Sequence, residues 1–384
     1  QAASLYSNAL ARQIAKQNPD VMKTFRLWKN EKAGEGSLVS NLSKNLELKD
    51  IVLSETPWVN EAETETEQKY ALAMLFDENA MEARLSSALD KLHKLQNSDG
   101  SWSWWQGMTG SRWMTQGIAT MLARMATMTS ATEANEMLDK AMSYLDKETA
   151  DMVREMKKTN KKNLSFPGTQ ALEYLYTNAI LNRKLTKTAQ ANTDFLLPLL
   201  KKESTQMSMY VKAMSAIVLN HYGDTRTAKT YLKSIVEHTV STEADGRYFD
   251  SYRATSTWRD YRIPTQTAAI EALWRLGGNK ADIIEMQRWL LQQKRTQTWD
   301  TPVNSIDAIN AFMLGNSTAL GKQEQTTITI DNKPLALPKA TAGMGYQKTT
   351  LNYAKEKQLK AEKTSQGTSW GAVYAQFMQD ATAI

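Results

Sequence analysis

The feature that most constrains the fold is a long series of amphipathic helical patterns. Leu85, Leu89, Leu92 and Leu95 fall on one stripe of a helix, and the same spacing recurs in many further segments, from LYSNALARQIAKQ near the start to ADIIEMQRWLLQQK. Turn signals such as NSDG, HYGD and LGGNK separate these segments. The sequence therefore predicts a mainly α-helical protein.

A degenerate unit repeats within this series. It consists of a helix end or polar turn, an aromatic residue, a loop, and a new amphipathic helix, and it occurs at LQNSDGSWSWW, STEADGRYFDSY and LQQKRTQTWD. Such repetition is typical of stacked helical hairpins, each of which buries its apolar face only against its neighbours. A closed ring of hairpins leaves no uncapped end, so we predict an α/α toroid.

The pattern changes after about residue 320. TTITIDNKPLALP alternates and then turns at Asp331-Asn332, and GYQKTTLNYA, EKQLKAEKT and SWGAVYAQFMQ are interpreted as further strands. We expect a helical segment over residues 1–48 that either joins the ring or forms a collar beneath it. The toroid itself would span 49–320. A β-rich segment over 321–384 would be a small sheet or the start of a β-sandwich module, the second being preferred.

Composition excludes several kinds of chemistry. The chain has no cysteine, which rules out disulfides, thiolate zinc sites and cysteine nucleophiles. His93, His221 and His238 lack the spacing of a helical metal site, and no Gly-rich phosphate loop occurs. We therefore expect no metal ion and no cofactor.

Charge and hydropathy limit the partners. The net charge of +6 is spread along helical faces, and the densest basic run, Lys157 to Lys162, is interpreted as a solvated helix end and loop. No apolar run reaches the roughly 20 residues that cross a bilayer. We expect neither a nucleic-acid partner nor a transmembrane segment. The chain begins at QAASLYSNAL, without an initiator Met or a signal-peptide pattern, and we interpret it as a piece of a longer polypeptide.

The tryptophans of the repeat turns have two interpretations. Trp102, Trp104, Trp105 and Trp299 could face a ligand, such as a sugar, at the mouth of the ring. The favoured interpretation is that one aromatic per turn wedges between helices, where each indole buries about 150–250 Å². Stacking on nucleic-acid bases is disfavoured, because basic residues do not interleave with the aromatics.

An enzyme is the alternative class. Toroidal glycosidases need two carboxylates across a cleft, and six aspartates lie near the repeat turns: Asp99, Asp245, Asp250, Asp260, Asp300 and Asp307. Turn formation and helix starts account for several of them without catalysis. An enzyme would need an open, acidic ring centre. A non-catalytic ring could be filled by Trp and Met, which the 19 methionines favour.

Several blocks resemble one family in a fixed order. LKDIVLSETPWVNEAETETEQKYALAMLFD, LQNSDGSWSWWQG, MQRWLLQQKRTQTWDTPVNSIDAINAFML and GTSWGAVYAQFMQD together are similar to the bacterial α-2-macroglobulins, in the part equivalent to their thioester domain. The resemblance implies an α/α toroid within a multi-domain protease trap and no catalytic residue. It also implies target proteases and neighbouring β-sandwich modules as partners. The expected location is periplasmic or cell-envelope, and lipid anchoring through a missing N-terminal part is compatible with it.

The chain departs from the family at the thioester motif. Cys-x-Glu-Gln of thioester-bearing members falls on Glu65, Thr66, Glu67 and Gln68, so Glu65 stands where the thiol would be. A thioester requires sulfur, and a carboxylate cannot replace it. We therefore expect non-covalent capture, and we interpret Gln68 as a residue of the first turn of a helix.

Overall fold

The computed structural model describes residues 1–17, 76–129, 131–159, 164–202, 207–243, 245–250, 262–296, 302–314, 326–337 and 358–363, with single residues and two pairs (22–23 and 25–26) elsewhere. Contacts between Cα atoms divide the chain into two compact units, Gln1–Gly315 and Asn316–Ile384.

The described part of the first unit is built from eleven helices. They are α1 (Ala2–Gln17), α2 (Glu78–Lys94), α3 (Arg112–Met128), α4 (Asn135–Lys158), α5 (Thr169–Leu181), α6 (Lys187–Lys202), α7 (Met209–His221), α8 (Thr225–Glu237), α9 (Arg262–Arg275), α10 (Lys280–Thr296) and α11 (Pro302–Met313). This confirms the predicted mainly α-helical class.

The odd-numbered helices form a closed inner circuit. α1 contacts α3, and the contacts continue from α3 to α5, α7, α9 and α11, which returns to α1. Even-numbered helices pack around this circuit: α2 on α1, α4 on α3, α8 on α7, and α10 on α9. The hairpins therefore close into the α/α ring that the repeats predict, and α1 is one of its inner helices.

Local sequence explains where the helices begin. The side chains of Asp77, Ser111, Ser208 and Asp224 each accept a hydrogen bond from a backbone N–H of the first turn that follows. Such caps satisfy donors that have no partner inside the helix. The chain therefore marks the starts of α2, α3, α7 and α8 with a small polar residue.

Small residues let the inner helices approach closely. Ala213, Ala216, Ala268, Ala269 and Ala272 are all buried, on the two neighbouring inner helices α7 and α9. Larger side chains fill the remaining core, which includes Leu122, Met142, Leu145, Leu172 and Met286. None of the described helices is long and apolar enough to cross a membrane.

Two small sheets accompany the helices. In the first unit, β1 (Val240–Thr242) pairs antiparallel with β2 (Gly246–Tyr248). In the second unit, β3 (Thr327–Ile330) lies between β4 (Lys333–Pro334) and β5 (Leu359–Glu362). The predicted turn at Asp331-Asn332 is confirmed, and both of its residues have positive φ, as a tight hairpin requires. The strands interpreted in GYQKTTLNYA and SWGAVYAQFMQ lie almost entirely outside the described residues.

Candidate functional site

Polar side chains from five of the six described inner helices meet at the centre of the ring. We call them the ring-centre cluster: Tyr6 on α1, Arg124 on α3, Glu173 and Tyr176 on α5, Glu271 and Arg275 on α9, and Asp307 and Asn310 on α11.

Arg124 is the hub of this cluster. Its Nη1 donates to Asp307, its Nε donates to the Tyr176 hydroxyl at 3.1 Å, and its Nη2 lies 3.5 Å from Glu271 Oε2. The guanidinium also lies over the Tyr176 ring, 5.4 Å from its centroid. Burial disfavours the charge, yet Asp307, Tyr176 and Glu271 hold the pKa of Arg124 well above its ordinary value. One cation therefore ties three inner helices to the helix that carries it.

Glu271 is fully paired. The Tyr176 hydroxyl lies 2.7 Å from each Glu271 oxygen, and Arg275 Nε donates to Oε1 at 2.7 Å. Although burial opposes ionisation, Arg124 and Arg275 lower the pKa of Glu271 below its ordinary value. A carboxylate that is only 3% exposed thus remains charged because two cations and a phenol surround it.

Glu173 differs from the other two acids of the cluster. The described residues offer its carboxylate no hydrogen bond or ion pair, although Arg124 and Asp307 lie within electrostatic range. Burial raises the pKa of Glu173 to about 7, in spite of Arg124. Burial also raises the pKa of Asp307, against the pull of Arg124. The ring centre therefore combines a carboxyl group that is half protonated near neutral pH with an Arg-bound carboxylate.

The seam between the first and last inner helices is closed by a hydrogen bond. Tyr6 on α1 donates to Asn310 Oδ1 on α11 at 3.3 Å, although 304 residues separate the two in the chain. Burial raises the pKa of Tyr6. The phenol is therefore a neutral donor at any ordinary pH.

The sequence left open a ring centre filled by Trp and Met. Charged and phenolic side chains from separate helices meet there instead, and Met128 Sδ lies 3.6 Å from the Tyr6 hydroxyl. Other apolar side chains, such as those of Met125 and Trp289, belong to the packed core between helices. Arg124, Arg275, Glu271 and Asp307 can lie there because each of these four charges has a partner of opposite sign.

Of the six aspartates considered for catalysis, the four that the structure describes do not converge on one site. Asp99 accepts from the backbone and the hydroxyl of Ser101 in a turn, and Asp245 hydrogen-bonds with Thr242. Of the four described aspartates, only Asp307 enters the ring centre. Asp250 is exposed, and Asp260 and Asp300 lie outside the described residues.

The tryptophan loop, defined as residues 99–113 and thus including the first two residues of α3, forms a second distinctive region. Trp102 is buried, and its Nε1 donates to Leu92 O at 3.1 Å, so this indole wedges between helices and faces no ligand. Its backbone N–H donates to Thr115 Oγ1 at 2.8 Å. Gln96 braces the base of the loop by donating to the Gly100 and Met137 carbonyls, each at 2.9 Å. The start of the loop is therefore fixed to α2, α3 and α4.

The remaining indoles of the loop lie on the surface. Trp104, Trp105 and Trp113 are 54%, 70% and 56% exposed. Trp104 and Trp113 stack with centroids 5.1 Å apart and planes 9° from parallel. A pocket of about 360 Å³ borders the same loop at Thr109 and Gly110. For Trp104 and Trp105, a ligand-facing role stays a prediction.

The remaining predicted site residues are the histidines, Trp299 and the positions of the thioester motif. Among the described residues, no group of His, Asp and Glu is arranged to hold a metal ion. His221 packs edge-on against Tyr222, and His238 Nδ1 lies 2.7 Å from Ser234 O. Trp299 and the motif positions Glu65, Thr66, Glu67 and Gln68 lie outside the described residues.

These features define a mainly α-helical ring of hairpins with an ion-paired centre and a small β unit. No family model matches the sequence, and no curated protein does. Among solved structures, the fold is similar to the crystal structure of Salmonella alpha-2-macroglobulin reacted with methylamine, at 11% sequence identity and a TM-score of 0.39. That likeness covers 92% of this chain, which spans 19% of the length of the Salmonella protein.

Proposed function

We propose that this chain is a non-catalytic domain of a bacterial α-2-macroglobulin-like protein, which inhibits endopeptidases by conformational trapping without a covalent thioester. The ordered sequence blocks support the family. Glu65 in place of the thiol is the observation that carries the mechanism, since the chain contains no cysteine. The partners would be target proteases, captured by the whole protein, and neighbouring β-sandwich modules.

The ring-centre cluster supports a toroid that moves as a rigid body. Arg124 connects α3 to α5, α9 and α11, and Tyr6 connects α1 to α11. Breaking one partner of such a buried network costs several kcal/mol. In a trap that rearranges after bait cleavage, the toroid would therefore keep its shape while its contacts with neighbouring modules change.

The location proposed for the whole protein is the periplasm or cell envelope. A protease trap acts where foreign proteases arrive, and the absence of cysteine is compatible with any redox compartment. No cofactor takes part in the proposed mechanism, because trapping needs only cleavage of a bait and a conformational change.

A trapping assay on the longest gene product that contains this sequence tests the proposal. We expect trypsin incubated with it to lose activity on a large protein substrate, to keep activity on a small peptide substrate, and to separate from it on a denaturing gel. Methylamine treatment should alter neither result nor the intact mass. A trypsin adduct that survives denaturation, or full activity on the large substrate, would contradict the proposal.

One observation favours the alternative of a toroid enzyme acting on a polysaccharide or cyclising a lipid. Glu173, with a pKa near 7, and the carboxylate of Asp307 lie in the same cluster, which is the kind of pairing that acid–base chemistry uses. Against it, Asp307 is held by Arg124. An enzyme would release reducing sugar or cyclised product, and Glu173→Gln would abolish that turnover; the trapping proposal predicts no turnover by either form.

A further inference from the structure

We propose that the tryptophan loop and the adjoining pocket form a carbohydrate-binding site, which takes a neutral oligosaccharide. The site would combine the exposed indoles of Trp104, Trp105 and Trp113 with polar groups of α4. This proposal is independent of protease trapping, which uses the protein as a whole.

The tryptophan loop exposes most of its indoles to solvent. Three indoles on one short loop are each more than half exposed. Exposed apolar clusters of this kind usually mark a binding site, because burying an indole would otherwise stabilise the fold. Trp102 on the same loop is buried, so the loop has a structural tryptophan and does not need the other three for packing.

The exposed indoles keep flat ring faces open to a ligand. Trp104 and Trp113 stack on each other nearly in parallel, which covers one face of each ring. More than half of each side chain still meets solvent, and Trp105 next to the pair is 70% exposed. A pyranose ring presents a flat face of C–H groups made slightly positive by neighbouring oxygens, which complements the negative face of an indole.

The pocket beside the loop has a polar lining. Its lining contains no aliphatic side chain: Ser143, Tyr144, Lys147 and Glu148 of α4 face Asp99 and the Thr109–Gly110 segment. Within the described part of the chain, Lys147 and Glu148 form no ion pair or hydrogen bond through their side chains. Hydroxyl, carboxylate and ammonium groups of this kind can donate to and accept from sugar hydroxyls. Protein partners instead favour an apolar anchor pocket.

Charge indicates a neutral ligand. Asp99 and Glu148 oppose Lys147 in the pocket, and Arg112 lies close enough for Glu148 and Tyr144 to affect its pKa. The two carboxylates and two cations balance, so neither a polyanion nor a polycation is attracted. Burial lowers the pKa of Arg112, which donates to Thr149 and thereby fixes the start of α3 against α4. The site is thus held in place before a ligand binds.

Native gel electrophoresis of the chain through soluble xylan, hydroxyethylcellulose, β-1,3-glucan and mannan tests the site. We expect at least one of these polymers to retard the chain. Trp104→Ala and Trp105→Ala should each weaken that retardation about tenfold, as the loss of one stacking contact implies. Glu148→Gln should weaken it less, and no reducing sugar should appear.

The control is Trp274→Ala, because Trp274 is also exposed but lies on α9, outside the loop. It should migrate like the unaltered chain, and thermal unfolding should show that all variants are folded. Retardation by none of the four polymers would overturn the proposal, as would equal weakening by Trp105→Ala and Trp274→Ala. So would sedimentation showing a dimer that Trp105→Ala dissolves, since the indoles would then serve a second copy of the chain.

Discussion

The ring-centre cluster and the tryptophan loop invert the usual distribution of residues in a folded protein. At the centre of the ring, a carboxylate only 3% exposed is paired with two arginines and a tyrosine. On the loop, indoles that could have been buried are 54% to 70% exposed. These charges lie inside, and these indoles lie outside.

This comparison assigns the two regions different roles: the ring-centre cluster stabilises the ring, and the tryptophan loop offers a surface to a partner. Every strong contact of Arg124 and Glu271 is satisfied within the chain, so these groups connect helices. Trp104 and Trp105 are 54% and 70% exposed, so their burial is left for another molecule. Substitutions in the two regions should therefore affect different measurements.

The largest expected effect is that of Arg124→Ala. It leaves Asp307 without its cation and Glu271 with one cation fewer, so we expect a loss of about 3–5 kcal/mol in the free energy of unfolding. Urea denaturation measures it. The matched control is Arg154→Ala on α4, whose pair with Asp151 is exposed and should cost less than about 1 kcal/mol. Equal losses for both variants would show that the ring-centre cluster stabilises the fold no more than an exposed ion pair does.

Trp102→Ala should come next. The indole is 2% exposed and its Nε1 hydrogen-bonds to Leu92 O, so its removal leaves a cavity and takes away one hydrogen bond. We expect a loss of about 3–4 kcal/mol, against about 0.5 kcal/mol or less for Trp105→Ala three positions later. Thermal unfolding of both variants checks this. A comparable loss for Trp105→Ala would mean that the exposed indoles also stabilise the fold.

Glu173→Gln should change the pH dependence of stability. The carboxyl group titrates near 4.5 when unfolded and near 7 when folded, so the folded state holds the extra proton between these values. Protonation of Glu173 therefore stabilises the folded state fully below pH 4.5. This stabilisation is lost as the pH rises through 7, and the free energy of unfolding falls by at most about 3 kcal/mol in all. The glutamine variant should equal the parent at pH 4 and exceed it at pH 8.

The control for this prediction is Glu237→Gln, which replaces an exposed acid on α8. It should change the free energy of unfolding by about 0.5 kcal/mol or less at either pH. Urea denaturation at pH 4 and pH 8 supplies the comparison. A Glu173→Gln variant that is less stable than the parent at pH 8 would show that the acid is ionised and paired in the folded ring.

Local features of the fold could be predicted from the sequence, and long-range pairs could not. Helical periodicity predicts the hairpins, and alternation with Asp331-Asn332 predicts the turn between β3 and β4. The buried Trp102 after the Asp99-Gly100 turn agrees with the favoured packing interpretation. These features depend on neighbours within a few residues.

The ring-centre cluster was missed because its partners are far apart in the chain. Arg124 and Asp307 are separated by 183 residues, and nothing local specifies their pairing. One signal was available. Glu271 interrupts an otherwise apolar stretch, with Ala269, Ile270, Ala272 and Leu273 all buried beside it. A charge within a run that is buried on every side must find a partner of opposite sign, although the sequence does not say which one.

Closure of the ring is the central claim, and spin labels on α1 and α11 test it most directly. Because the chain has no cysteine, Ser7→Cys and Ile309→Cys can be labelled without background. They neighbour Tyr6 and Asn310, which hydrogen-bond across the seam. A closed ring places the helices about 8–10 Å apart, so we predict dipolar broadening from labels within about 20 Å. An open stack would separate them by five such spacings, about 40–50 Å, and that distance would contradict the account.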